Sequence, residues 1–179
     1  MTYPFYQAKN FTKGRSNHNP RLIIIHTMET PESAGRAKQV ATWFNGKTAP
    51  QASAHYMVDD KQIVQSVLEA DTAWACDDWE LNQVSISIEH AGSASQTPAQ
   101  WADAYSTAEL SLSAKLSADI AKRWRIPLVK LTPDDILAGK AGFAGHLDIT
   151  KAKKIAGGHT DPGVNFPWET YLKLIGGNK

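Results

Sequence analysis

Six histidines and eighteen acidic residues are the candidate proton carriers and metal ligands of this 179-residue chain. In GGHTDPGVNFPW (157–168), His159 stands two places before Asp161, and Asp161 runs directly into Pro-Gly. Asp-Pro-Gly is a common way to reverse a chain. The alternative is that the turn exists to hold Asp161 still as a metal ligand. His26 ends RLIIIHT (21–27), where the chain leaves a buried strand, and sites gather at the strand ends of open α/β sheets. His146 lies in AGFAGHLDIT, two residues before Asp148. Asp148 either orients that imidazole ring or caps a helix over TKAKKIA. His26, His146 and Asp161 make a candidate set of two nitrogens and one oxygen. Three protein ligands with a fourth position left to water is the pattern of a catalytic zinc, not a structural one. The sequence contains no HExxH and no paired CxxC. Its one cysteine, Cys76, has no disulfide partner and no activating neighbour, so it is not a candidate nucleophile.

Short buried strands and amphipathic helices must position these groups. RLIIIHT reads as a strand that is apolar on both faces. In PESAGRAKQVATWFNG (31–46), Ala37, Val40, Ala41 and Phe44 keep helical spacing, and Asn45-Gly46 can end the helix. ASAHYMVDDKQIVQSV (52–67) reads as a hairpin turning at Asp59-Asp60-Lys61. QVSISIEHAG (83–92) alternates, with Ile86 and Ile88 on one face and Ser85, Ser87 and Glu89 on the other. From about Gln100 to Trp124 a helix is expected, with Tyr105, Leu112, Leu116, Ile120 and Trp124 on its stripe and Pro127 stopping it. TPDDILAG (132–139) has Thr132 as N-cap and Gly139 as a stop, and PWETYLKLIGG closes the chain as a helix. The expected fold class is α/β, with a central mixed β-sheet flanked by helices.

Composition narrows the function classes. Hydrophobic residues make up 42% and charged residues 21% of the chain, an ordinary balance for one globular domain. The formal net charge is +1, which gives no field for nucleic acid or an anionic membrane, and neither is an expected partner. No stretch approaches the roughly 18 apolar residues of a spanning helix. MTYPFYQAKNFTKGR lacks a charged start followed by an apolar segment, so synthesis in the cytoplasm without a signal peptide is expected.

The stretches RLIIIHTMET, SAHYMVDDKQIVQSV, TAWACDD, VSISIEHAG, GHLDI and HTDPGVNFPW occur in an order that resembles the type 2 N-acetylmuramoyl-L-alanine amidases. That family includes phage endolysins, autolysins and the peptidoglycan recognition proteins. The resemblance runs from about Arg21 to Trp168. It implies a single zinc amidase domain over residues 1–179 with the peptidoglycan recognition protein-like fold, a core at about 20–175 and a polar tail or linker stub at 176–179. It also implies Zn2+ held by His26, His146 and Asp161, with Glu89 as the acidic catalytic residue. Many relatives carry a lysine two places before the third ligand. Here that place holds His159, which either takes over the lysine's role beside the oxyanion or competes with His146 as a ligand. A histidine is the weaker fixed cation, because imidazole titrates near neutrality.

Peptidoglycan is the partner the resemblance implies, hydrolysed at the lactyl-L-alanine amide by a monomer. Trp74 and His55 are the expected substrate-side residues, with Trp79 and the weaker Trp168 as further candidate rings. Asp77, Asp78 and Glu80 read as residues that keep their loop soluble, and His18 and His90 as structural or surface residues. A phage or prophage endolysin that reaches the wall after release is the favoured role. The alternatives are a cytosolic anhydro-muropeptide recycling amidase and a non-catalytic peptidoglycan-binding module. Retention of Asp161 beside two histidines favours an enzyme over the binding module.

Overall fold

Leu22–Ile25 puts apolar side chains on both faces of one strand, which is stable only inside a sheet covered on both sides. The computed structural model describes residues 3–177. In it β2 (Leu22–Thr27) is buried along its whole length. The other elements are β1 (Phe11–Thr12), α1 (Arg36–Asn45), β3 (Tyr56–Val58), β4 (Ile63–Gln65), β5 (Thr72–Ala73), α2 (Trp79–Gln83) and β6 (Ser85–His90). There follow α3 (Pro98–Trp101), α4 (Ala104–Trp124), α5 (Pro133–Leu137), β7 (Gly142–Gly145), α6 (His146–Lys153) and α7 (Trp168–Gly177). The main sheet has the order β4-β3-β6-β2-β7, and β1 and β5 form a separate two-stranded sheet. Parallel pairing joins β3 to β6, β6 to β2 and β2 to β7, while β3 and β4 form the antiparallel hairpin. The sheet is therefore mixed, as the early hairpin required.

Helices cover both faces. Ile23, Ile25, Ile86 and Ile88 pack with Leu116 and Ile120 of α4 and with Tyr171 and Ile175 of α7. On the other face, Ala37, Val40, Ala41 and Phe44 of α1 pack with Met57 and Val64. Leu22 and Ile24 pack there with Leu81, Ile136 and Ile149. Each isoleucine buried in this way contributes about 1.5–3 kcal/mol.

Four expectations change. First, Ser85 and Ser87 alternate with the isoleucines of β6 but are buried as well, because β6 is the central strand. Second, α4 presents a rotated face. It buries Ser106, Glu109, Ser113 and Ser117 beside Leu116 and Ile120, while Tyr105 and Trp124 are only partly covered. These polar groups are buried because the end of β6, α7 and the adjoining loops supply partners. Glu109 Oε1 accepts from Ala91 N at 2.6 Å. The Ser113 hydroxyl lies 2.7 Å from His90 Nε2 and 2.6 Å from the Tyr171 hydroxyl, which also meets Ser117 Oγ at 2.8 Å. Third, the helix expected from about Gln100 is broken into α3 and α4; α4 ends at Trp124 as expected, capped by Arg125 in the left-handed conformation ahead of Pro127. Fourth, Gly176 and Gly177 belong to the last helix and not to a tail. The remaining tail residues, Asn178 and Lys179, lie outside the described residues. β1, β5, β7 and α2 were not anticipated.

Candidate metal centre

His26 and Glu89 are register partners on adjacent parallel strands, so their side chains leave the same face of the sheet at its C-terminal edge. His146 reaches that edge from the neighbouring strand. β7 pairs Gly145 with Ile25, and α6 begins at the next residue. The third group arrives on the Asp-Pro-Gly bend. Leu147 N donates to Asp161 O at 2.8 Å, and Gly163 N closes the turn on Thr160 O at 3.0 Å. The stretch is a turn, and the turn places Asp161 between two imidazoles.

The bend fits only because two positions lack a side chain. A Cβ on Gly145 would lie 2.6 Å from Pro162 Cδ, so Pro162 packs where a side chain would stand. Gly163 has φ +89°, and its Cβ would meet Ala94 O at 2.0 Å. Gly163→Ala is accordingly expected to lose about 2–4 kcal/mol, left-handed strain added to a backbone clash. A denaturant titration beside wild type measures this, and an unchanged midpoint would contradict the placement of the bend.

Donor atoms of His26, His146 and Asp161 lie within 4.8 Å of one another, and all three residues are buried. Asp161 Oδ2 is 3.1 Å from His26 Nδ1, and Oδ1 is 3.3 Å from His146 Nδ1. The two rings stand edge to face at 4.9 Å. Burial raises the Asp161 pKa, but hydrogen bonds from His146 and His26 more than reverse this and hold the carboxyl well below its ordinary value. Burial lowers the His26 pKa, against the pull of Asp161. The Nε2 atoms of both histidines are buried without a hydrogen-bond partner, as is Glu89 Oε2. Buried polar atoms rarely stay unpaired, so three at one strand edge mark a place built for a further group. Two imidazoles and a carboxylate suit a divalent metal ion.

Glu89 has a pKa well above the carboxylate range. Burial is the main cause, followed by the charges of Asp161 and Glu29. His159 is exposed and stacks flat on His146 at 4.5 Å. It is not one of the buried group. Its Nδ1 is 3.5 Å from Asp161 Oδ1, and its Nε2 is 3.5 Å from Asp77 Oδ2. Asp148 neither orients the His146 ring nor starts a later helix. Sitting in the first turn of α6, it accepts from Gly145 N at 2.7 Å and from Lys130 Nζ at 2.6 Å.

A cleft of about 400 Å³ opens over these groups. Trp74 lines it half-buried, its indole N–H donated to Thr12 Oγ1 at 3.0 Å. His55 does not reach the cleft, which corrects the expectation for that residue. It is fully buried beneath the sheet edge, where its Nδ1 accepts from Ser87 N and Arg15 Nη2 lies 2.7 Å from its Nε2. Burial, and then Arg15, push its pKa down to about 3, so it serves as a neutral core group. Its place one step from Tyr56 on a strand left the facing open, and only the sheet settles it. Trp79 is half exposed on α2, and Trp168 lies under Lys130 Nζ at 4.7 Å; neither lines the cleft. Cys76 is buried, and burial pushes its thiol up to about 12, which suits an inert packing role. Sequence reasoning missed Asp77, whose Oδ2 is also 3.7 Å from His146 Nε2, and it missed Trp43 and Glu29 on the cleft wall. The signal at Asp77 is a left-handed backbone, φ 52°, invisible until the chain is folded.

Two imidazoles, a carboxylate and a partly buried glutamate at the C-terminal edge of a mixed sheet form an arrangement suited to hydrolysis with a bound metal ion. A model of the N-acetylmuramoyl-L-alanine amidase family matches residues 16–164. N-acetylmuramoyl-L-alanine amidase A of Achromobacter lyticus is 32% identical over 180 residues, covering 95% of this chain and 91% of that one. Among solved structures, a selenomethionine derivative of AmpD superposes with a TM-score of 0.69 at 20% identity, over 97% of this chain and 94% of that one. A mutant endolysin from Bacillus subtilis gives 0.66 at 17% identity, over 98% and 99%. The hydrolase AmiA of Staphylococcus aureus gives 0.67 at 15% identity, over 99% and 86%. The chain belongs to the N-acetylmuramoyl-L-alanine amidase family. Among the described residues, no helix is long and apolar enough to cross a membrane.

Proposed function

We propose that this chain is a zinc-dependent amidase that hydrolyses the bond between the lactyl group of N-acetylmuramic acid and the first L-alanine of the peptidoglycan stem peptide. The observation that carries the reading is the buried His26–His146–Asp161 group, whose donor atoms lie within 4.8 Å of one another in the cleft that Glu89 also lines. Family membership supplies the substrate class. All the groups come from one chain, so a single copy carries every side chain that the reaction needs.

His26, His146 and Asp161 would hold the zinc. A zinc ion in such a site polarises the scissile carbonyl and brings the pKa of water down to about 7. Glu89 takes the proton of the attacking water on Oε2 and hands it to the leaving alanine amine. Its raised pKa suits both halves of that task. It makes the carboxylate a better base than an ordinary glutamate, and the same burial that favours the protonated form leaves it able to return the proton to the leaving amine. His159, exposed beside Asp161 on the cleft wall, presents an N–H to the oxyanion. A ring stacked flat on a buried neighbour is held in orientation without being buried itself.

Digestion of purified muropeptides followed by mass spectrometry tests the reading. Free stem peptides and peptide-free glycans are expected, and chelation of the metal should abolish their release. Cleavage within the sugars or within the peptide would overturn it. Running intact sacculi beside soluble anhydro-muropeptides separates the two roles. We favour the lysin, for which the sacculi are the better substrate; a recycling amidase would prefer the soluble fragments.

A further inference from the structure

Helix α1 buries Ala37, Val40, Ala41 and Phe44, a complete helical stripe. Trp43 lies off that stripe and is 50% exposed, so its indole contributes little to the core. The ring is held all the same. It stacks on Phe44 at 5.6 Å and 20°, with one face covered by its neighbour. Trp43 also lines the cleft over the metal centre. A large ring kept flat and half open on a cleft wall is costly to leave wet and is the kind of group a ligand covers.

The cleft walls differ in charge. The wall formed by Trp43, Phe44, Pro50, Gln51, Ala52 and Ser53 carries no ionisable side chain. The charged cleft groups, including Glu29 and Asp77, come from other segments. The proposed scissile amide joins two chemically distinct halves. One half is an uncharged sugar ring with apolar C–H faces, hydroxyls and an acetamido group; the other is an ionised peptide. The uncharged wall, with a flat ring and a side-chain amide, matches the sugar.

We propose that Trp43 is the platform on which the pyranose ring of the muramoyl unit stacks. This makes the end of α1 and residues 50–53 the saccharide side of the cleft. The assignment rests on the amidase reading above.

Two substrates with the same scissile bond test it: a muramoyl tripeptide, and the matching D-lactoyl tripeptide that lacks the sugar ring. For Trp43→Ala, the ratio of kcat/KM on the first to kcat/KM on the second is expected to fall about tenfold, through KM. Trp43→Phe keeps an aromatic face and should restore most of the ratio. Trp43→Gln, a good helix former, should behave like the alanine variant and guards against a folding defect, with melting temperature and metal content read in parallel. An unchanged ratio in the alanine and glutamine variants, or equal losses on both substrates, would overturn the sugar assignment. Wild type that cleaves neither amide would overturn the amidase reading instead.

Discussion

Asp161→Ala is expected to strip the protein of its metal and its amide hydrolysis together. The loss should exceed the roughly 10–100-fold typical of removing an outer-shell partner, since Asp161 is itself a proposed ligand. Asp161 also faces both imidazoles, at 3.1 and 3.3 Å, so its removal leaves two buried rings without their counter-charge. Metal content of the purified variants resolves the second ligand as well. His146→Ala should lose metal, because His146 is buried and its Nδ1 faces Asp161 Oδ1 at 3.3 Å. His159→Ala should retain metal and lose turnover, because His159 is exposed and only stacks on its neighbour. Retained metal in the first and lost metal in the second would reverse the assignment.

Glu89→Gln should behave oppositely in two assays. Turnover falls by roughly 100- to 10,000-fold, the range for removing a positioned proton carrier. Stability of the chelated, metal-free protein rises at neutral pH. Burial lifts the Glu89 pKa above its unfolded value, so above the unfolded pKa the folded chain binds more protons than the unfolded chain. Stability therefore falls as pH rises through that window. Glutamine has the same shape and no charge to bury. The gain should be present at pH 7 and vanish below about pH 4, where the carboxyl is protonated in both states. Thermal melts of the two proteins at pH 7 and pH 4 check this. A variant less stable than wild type at pH 7 would mean that Glu89 is ionised and well paired in the fold.

Much of this was legible beforehand because strong local signals coincide. Leu22–Ile25 has one stable environment, the hairpin turns where Asp59 accepts from Lys61 N and Gln62 N, and Thr132 caps its helix as its sequence suggests. β7 was not legible. GFAG has little strand propensity and owes its extension to pairing with β2. The α4 face was misjudged for a related reason. Hydrophobic periodicity cannot foresee that Ser113 is buried because His90 waits for it across the interface. The three proposed ligands were visible as residue types at strand ends and in a stiff turn, and through family resemblance. The exclusion of His55 and the place of Asp77 beside His146 and His159 were set by tertiary placement.

The bond from Leu147 N to Asp161 O, with Pro162 seated against Gly145, ties the second and third donors into one block. His26 stands apart on its strand. The centre thus has two moving parts, not three. A packing change in α6 carries His146 and Asp161 in the same direction and alters chiefly their shared gap to His26. Drift elsewhere in the molecule would then weaken the grip on the ion gradually, without dismantling the ligand set.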